Sequence, residues 1–282
     1  MGKSLCVQKK GGLTIDNNEK DEKKAVWSYS RVACFDHCPY EFYLNYIVRD
    51  DDLYLSEGNF YAELGSYTHE ILAMIFNGTL PIEDAAPYFV DHYDENVFYT
   101  APNSIMHKAT TAIIDYLANM DLRWLNKYEI LGVEMRQEFE VENVACVGII
   151  DLLLRDKEDN KIVIMDHKST EYPFTRTGSV KKKLTDSFAK YKMQMYLYAK
   201  LVFEKYGEFP KEMTWHHFKD GGKLATIPFK PAEYVDVMTW FVNTVQRIGV
   251  EETFDAHPEF FYCTRLCNFR HSCEYCASEF GG

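Results

Sequence analysis

The chain has 282 residues, 46% of them hydrophobic, with 31 Lys and Arg against 43 Asp and Glu for a formal charge of −12. That length and apolar share can bury a substantial core, and no apolar run reaches the roughly 20 residues a bilayer-spanning helix needs, so no membrane partner is expected. The acidic balance excludes a uniformly basic nucleic-acid-binding surface, although a local field can still be positive where acids are neutralised or lie far from a groove, as in Asp50-Asp51-Asp52.

Residues 1–24 are polar and lysine-rich, carry Cys6 and contain no apolar core segment of the kind a secretion signal has. They are expected to form a flexible leader, and the chain is expected to work in the reducing cytoplasm of a bacterial or phage-infected cell. Tyr29 to Arg49 predicts a helix carrying Cys38 beside Tyr40, Phe42, Tyr43 and Tyr46. Gly65-Ser66-Tyr67-Thr68-His69-Glu70 opens another, because Leu72, Ala73 and Phe76 follow His69 at helical spacings. His69 then sits on a buried stripe, a place occupied more often by a core histidine than by a ligand. Residues 80–130 are mostly helical by pattern, with Pro81 and Pro87 as early breaks, and are expected to be a helical insertion.

Tyr128 to Val141 predicts one or two strands, and the Leu- and Ile-rich runs Gly148–Leu154 and Ile162–Lys168 predict a hairpin around the polar turn Asp156–Lys161. Thr170 to Asp186, with Gly178 and Lys181-Lys182-Lys183, reads as a mobile loop whose lysines, with Lys190 and Lys192, offer a phosphate-facing patch or only a solvated face. Tyr191 to Lys200 predicts a helix with Gln194 and Tyr198 four apart on one face. Met213 to Phe229 reads as a peripheral hairpin about Asp220-Gly221-Gly222, and Pro231 to Val250 as a final helix. The expected class is α/β (α+β): one domain over 25–282, a mixed central sheet flanked by helices, ending in a cysteine-rich tail at 263–276.

The chemistry is densest in the 148–168 hairpin. Strand ends that bring Asp151 and Asp166 together supply two carboxylates, the ligands that hard cations such as Mg²⁺ or Mn²⁺ prefer. Lys168, two residues beyond Asp166, projects to the same face, where its ammonium can orient water or offset charge on a phosphate. Asp-x-Lys alone is a weak signal, and a surface hairpin with ordinary charges is the plain alternative. Gln194 and Tyr198 can hold a phosphate or carboxylate by hydrogen bonds, or belong to a routine amphipathic helix.

Eight cysteines occur, four of them in Cys263-x3-Cys267-x5-Cys273-x2-Cys276. That density calls for a metal centre or disulfides, and a reducing compartment disfavours the latter. The remote partner is Cys38, in Asp36-His37-Cys38-Pro39-Tyr40. One distant thiolate plus a cluster of them suits an iron–sulfur centre better than a zinc ribbon, which remains the lesser alternative. Cys146, within the strand run, reads as a core residue, and Cys34, lacking a following proline, is a weaker candidate than Cys38.

The ordered set Ser30-Arg31 … Cys38-Pro39-Tyr40-Glu41-Phe42, Gly65-x-x-x-His69, Gly148-x-x-Asp151, Asp166-x-Lys168, Gln194-x-x-x-Tyr198 and the cysteine tail resembles the PD-(D/E)XK nuclease superfamily. More narrowly it is similar to the RecB-like branch whose iron–sulfur members include the AddB nuclease domain and the CRISPR adaptation nucleases. The resemblance implies a restriction-endonuclease-like core, with metal held by His69, Asp151, Asp166 and the main-chain carbonyl of His167. Lys168 would be catalytic, completed by Gln194 and Tyr198. It also implies a 4Fe–4S cluster on Cys38, Cys263, Cys267 and Cys273, with Cys276 as rival. The tail departs from the usual Cys-x2-Cys-x5-Cys spacing, since three residues separate Cys263 from Cys267.

The activity so implied is a metal-dependent DNA nuclease, an exonuclease or end-processing enzyme of recombination, repair or phage DNA metabolism. The alternative is a noncatalytic DNA-binding or scaffold subunit that keeps the fold and cluster. The chain has no Gly-x-x-x-x-Gly-Lys-Ser/Thr phosphate loop. Its expected partners are therefore DNA with single strands or free ends and a separate helicase, recombination or replication protein.

Overall fold

The computed structural model describes residues 25–48 and 58–280; the expected leader, with Cys6, and Asp50-Asp51-Asp52 lie outside the described residues. Helix α1 (Tyr29–His37) starts where the Ser28 hydroxyl accepts the Arg31 N–H. It does not run on to residue 49. Cys38 is extended (φ −149°, ψ 103°) and Pro39 opens a separate helix α2 (Pro39–Tyr46). The cause is local: a proline ring pushes the preceding residue out of the helical region, yet suits a first helical position that needs no N–H partner. Cys38 is thereby set at a corner between two helices instead of inside one.

Helix α3 (Phe60–Phe76) is capped by the Asn59 side chain and buries Phe60, Leu64, Tyr67, Thr68, Ile71, Leu72 and Ile75. His69 is half-buried at the border of that stripe. Short helices α4 (Ala85–Asp91) and α5 (Tyr93–Asn96) precede α6 (Asn103–Ala118). Pro87 does not break α4, because it falls in the first turn, where a missing N–H costs nothing.

Three antiparallel strands follow: β1 (Tyr128–Val141), β2 (Val144–Asp156) and β3 (Ile162–Lys168). The β1–β2 turn uses Glu142 and Asn143, both at positive φ. Helix α7 (Thr185–Tyr206), ended by Gly207 in the left-handed region, carries the chain back so that β4 (Glu212–His217) lies parallel to β3. Strand β5 (Lys223–Pro228) returns antiparallel through Gly221 and Gly222, both at positive φ. The sheet is therefore mixed, in the order β1-β2-β3-β4-β5. The Met213–Phe229 hairpin was expected at the periphery; its first strand is instead joined to the central one, since α7 supplies the long crossover that a parallel neighbour requires.

Both sheet faces are covered, which explains the near-continuous apolar runs of β2 and β3. Ile162 and Ile164 pack under α7 and α8 (Pro231–Val250), with Trp215, Leu197, Leu201 and Phe241. Val163 and Met165 face the other way, with Leu152 and Leu154, against α3 and α6 through Ile71, Leu72, Ile113 and Leu117. The 80–130 region is helical and closes one face of the sheet. Helices α9 (Phe260–Arg265) and α10 (Glu274–Phe280) form the tail. It docks on α2 through Tyr40, Leu44, Cys267 and Phe269. No helix among the described residues is long and apolar enough to cross a membrane.

Candidate active site

The β2–β3 ladder runs out at Leu152 opposite Met165, so the next residues, Asp151 and Asp166, face each other where the strands part. Both are buried, 8% and 2% exposed. Asp151 Oδ2 accepts the backbone N–H of His167 at 2.7 Å, which fixes that carboxylate to the neighbouring strand. His69 reaches in from α3, its Nδ1 3.5 Å from Asp151 Oδ2 and 3.9 Å from Glu134 Oε1. His69, Glu134 and Asp151 offer ligand atoms that all lie within 4.8 Å of one another.

Glu134 was not found by sequence reasoning. It is one acid among several in β1, and only the register, Val133 with Leu152 and Met135 with Ile150, sets it beside Asp151. Its φ of 45° is left-handed, unusual for a residue with a side chain and worth on the order of 1–3 kcal/mol of strain. The pairing slips between Ile130 and Gly132 just before it. The backbone distortion turns this carboxylate toward His69. Gly65 lines the same cavity, where an added Cβ would meet nothing, so the space there does not depend on glycine.

Asp166 and Lys168 point to the opposite side of β3 from His167, as a period of two requires. Lys168 Nζ lies 2.7 Å from Asp166 Oδ2 and donates to Gln194 Oε1 at 3.1 Å. Gln194 Nε2 in turn donates to the Tyr198 hydroxyl at 3.0 Å, and the Tyr191 ring lies beneath the ammonium with its centroid at 4.7 Å. Gly148 lets α7 approach this closely: a Cβ there would sit 3.0 Å from the Tyr198 ring. Asp151, Asp166, Lys168, Gln194, Tyr198 and His69 are thus brought to one place by four elements. Asp166 is turned to the lysine side of the group, Asp151 to the histidine side.

The electrostatics follow from burial. Asp151 is raised well above the usual carboxylate range by desolvation and then by the charge of Asp166. Glu134 is raised for the same two reasons, in the same order. Desolvation lowers His69 despite Asp166, favouring the neutral imidazole that can ligate a metal. For Lys168, burial works against the charged form, but Asp166 outweighs it and the pKa rises. The ammonium is therefore kept protonated. Several carboxylates crowded in low dielectric beside one neutral imidazole form a donor set that a hard divalent cation fits, since its charge offsets their repulsion.

A second layer was also missed. Because β4 runs parallel to β3, His216 and His217 stand beside His167 and Lys168. His216 Nδ1 is 2.9 Å from His167 Nδ1, and its Nε2 is 2.9 Å from the Tyr116 hydroxyl. His217 Nδ1 is 3.0 Å from the Thr170 carbonyl. Burial pushes His216 down to about 3 and His167 well below the ordinary imidazole range, so both are neutral. Of the lysines that could face phosphate or only solvent, Lys181 and Lys183 pair with Glu171, and Lys192 with Glu233. The Phe174–Val180 bridge orders part of that loop.

Cys38, Cys263, Cys267, Cys273 and Cys276 line one cavity between α2 and the tail. Backbone N–H groups of His257, Glu259 and Phe269 donate to the sulfurs of Cys38, Cys263 and Cys267 at 3.5, 3.3 and 3.4 Å. Two thiols also donate, Cys267 to Glu41 Oε1 at 3.9 Å and Cys276 to the Cys263 carbonyl at 3.3 Å. All described cysteines are free thiols. Cys34 lies on α1 near Asn45, and Cys146 is in the core.

Among solved structures, a protein from Eubacterium rectale provisionally described as an exonuclease is similar over 95% of this chain and 94% of its own, with 14% identity and a TM-score of 0.48. The protein SSO0001 is similar over 91% and 89%, with 13% identity and a TM-score of 0.36. No curated protein matches the chain. The sequence profile that does match spans residues 26–274, almost everything described above, and by that match the chain belongs to the PD-(D/E)XK nuclease superfamily.

Proposed function

We propose that this chain is a metal-dependent deoxyribonuclease that degrades or trims DNA from ends, in recombination, repair or phage DNA metabolism. The observation that carries the reading is the Lys168 ammonium held between Asp166 and Gln194, beside the His69, Glu134 and Asp151 donors. A divalent cation held by His69, Asp151, Asp166 and the His167 carbonyl, with Glu134 as a further carboxylate, supplies Lewis acidity and a more acidic water when bound. The chain's own residues do the rest. Asp166 keeps Lys168 charged, and Gln194, itself fixed by Tyr198, holds the ammonium in one rotamer. From there it orients the attacking water and offsets charge building on the phosphate as the P–O bond opposite the water breaks.

The test is cleavage of end-labelled single- and double-stranded DNA with Mg²⁺ or Mn²⁺, comparing wild type with Lys168→Ala. Loss of cleavage with retained DNA binding supports the enzyme, and the product ladder gives its polarity. Cleavage that persists in the variant sinks the assignment; a correctly folded wild type that binds but never cleaves identifies the scaffold reading.

The reading includes a RecB-like domain over 25–282, with 80–130 as its insertion and 263–276 as a cluster-binding tail. Cys38, Cys263, Cys267 and Cys273 are the proposed ligands of a 4Fe–4S cluster. Backbone N–H bonds to three of these sulfurs support it, because such donors suit thiolates. Tetrahedral zinc on the same thiolates is the lesser alternative. When bound, the cluster would tie α2 to the C-terminal tail across the whole chain.

A further inference from the structure

Tyr61, in the first turn of α3, faces two cavities at once. One holds His69, Glu70, Glu134 and Ser169; the other continues past Tyr99 and Phe261 to Arg265. Eight residues of helix separate His69 from Tyr61, about 12 Å along the axis, so the second cavity opens beside the acids. Its rim is aromatic and accessible: Tyr61 is 38% exposed, Tyr99 37% and Phe261 59%.

Two cations without a carboxylate partner among the described residues border this groove. Lys181, Lys183, Lys192 and Lys211 are each matched by a carboxylate. Lys219 is not; its Nζ stands 5.7 Å from the Tyr61 ring centroid, and the charged neighbour it feels is another cation, Lys108. Arg265 is exposed and likewise forms no ion pair among the described residues. A protein of net charge −12 thus keeps unmatched cations next to exposed rings at the mouth of its acid site.

The groove is also built in advance. Glu63 Oε2 accepts the backbone N–H of both Phe98 and Tyr99 at 2.7 Å, fastening that segment to α3. The Tyr99 ring packs so closely over Gly58 that a Cβ there would collide with it. The third wall is α9, held by Asn59 Nδ2 donating to the Leu266 carbonyl at 3.4 Å and by Arg270 donating to the Gly58 and Cys267 carbonyls at 3.2 and 3.3 Å. Phe261 and Arg265 therefore depend on the cysteine tail being docked.

We propose that this groove leads an unpaired DNA strand into the acid site, with bases stacking on Tyr61, Tyr99 and Phe261 and phosphates met by Lys219 and Arg265. The inference rests on the nuclease reading for what happens at the acids, but its binding claim stands apart. Exposed rings flanked by free cations suit single strands, whose bases have open faces, whereas a duplex has already stacked its own. A protein partner would be served by the rings alone; the unmatched cations and continuity with the acid site favour a polyanion.

The experiment measures binding of fluorescein-labelled oligo(dT) by anisotropy, with EDTA present so that nothing is cut. Wild type is compared with Tyr99→Ala, Phe261→Ala and Arg265→Gln, each checked for an unchanged melting temperature. Each aromatic truncation should weaken binding about tenfold, and Phe261→Trp should restore it. Arg265→Gln should make the dependence of log K on log salt shallower by about 0.7. An abasic strand should bind wild type more weakly, with no further loss in Phe261→Ala, a result that misfolding would not give. Unchanged affinity in the folded aromatic variants, or wild type preferring the duplex, overturns the groove. The Lys168→Ala cleavage result decides the nuclease reading independently: cleavage with unaffected strand binding in the groove variants leaves the enzyme and removes the groove, and the converse leaves the groove alone.

Discussion

The acid site and the cysteine cavity are built by opposite means. At the first, the ends of β2 and β3 are fixed by two packed cores before any ligand is considered, and side chains of α3 and α7 reach into a frame already made. At the second, helices of six and seven residues lie against α2 through a small apolar cluster of Tyr40, Leu44, Cys267 and Phe269. A site carried by a buried sheet has its geometry determined by the fold and its ligands tuned within it. A site at the junction of chain ends has little core of its own, so a bound cluster would supply much of what holds it together.

The largest effect that would sharpen this contrast is Asp166→Asn, which should cut turnover by at least about 10³-fold while leaving the melting temperature of the metal-free protein within a few degrees. Equal Mg²⁺-dependent rates in that variant would break the contrast at the acid site. At the other end, Cys38→Ala should remove iron and stability together, lowering the melting temperature by on the order of 10 °C. Calorimetry with iron and acid-labile sulfide analysis checks this, and a variant lacking iron but melting like wild type would show that the tail needs no cluster.

A smaller effect concerns pH. His216 is held at about 3 by burial, so between pH 6.5 and that value the unfolded chain takes up a proton that the folded one refuses. Stability is therefore fully present above the ordinary imidazole range and falls as pH drops, by up to about 1.4 kcal/mol per pH unit from this group. Chelator-treated protein melted from pH 7 to pH 4 should show the slope, and His216→Phe should flatten it; identical slopes would mean that His216 titrates normally. Smallest is Glu134→Gln, which should weaken Mn²⁺ binding about tenfold by calorimetry without lowering stability. The same position as Glu134→Gly should raise the melting temperature by a few degrees, since glycine relieves the left-handed backbone. Unaltered Mn²⁺ affinity would exclude Glu134 from the site.

Most of the sheet could be read from the chain because each signal was local. The apolar runs around Asp151 and Asp166, the polar turn between them and the Gly221-Gly222 turn all act over a few residues. The helix from Pro231 to Val250 has the bounds its sequence pattern implies. Period two on a strand puts Lys168 on the face of Asp166 and period four on a helix puts Gln194 beside Tyr198, but the bond between Lys168 and Gln194 joins two remote elements and was not legible in the sequence. The single helix expected over residues 29–49 failed because apolar content was weighed above the steric rule at Pro39.

Sequence alone determined the residue types of the acid hairpin, the strand alternation that sends Asp166 and Lys168 to one face, and the proline that takes Cys38 out of a helix. These depend on bond geometry and neighbours within a turn or two. Tertiary structure decided that Glu134 stands beside Asp151, that His216 stands beside His167, and that Tyr61 joins the acid cavity to an aromatic groove walled by the cysteine tail. Those depend on strand register, a parallel crossover and the docking of remote segments, where many residues pack cooperatively and no single spacing along the chain records the result.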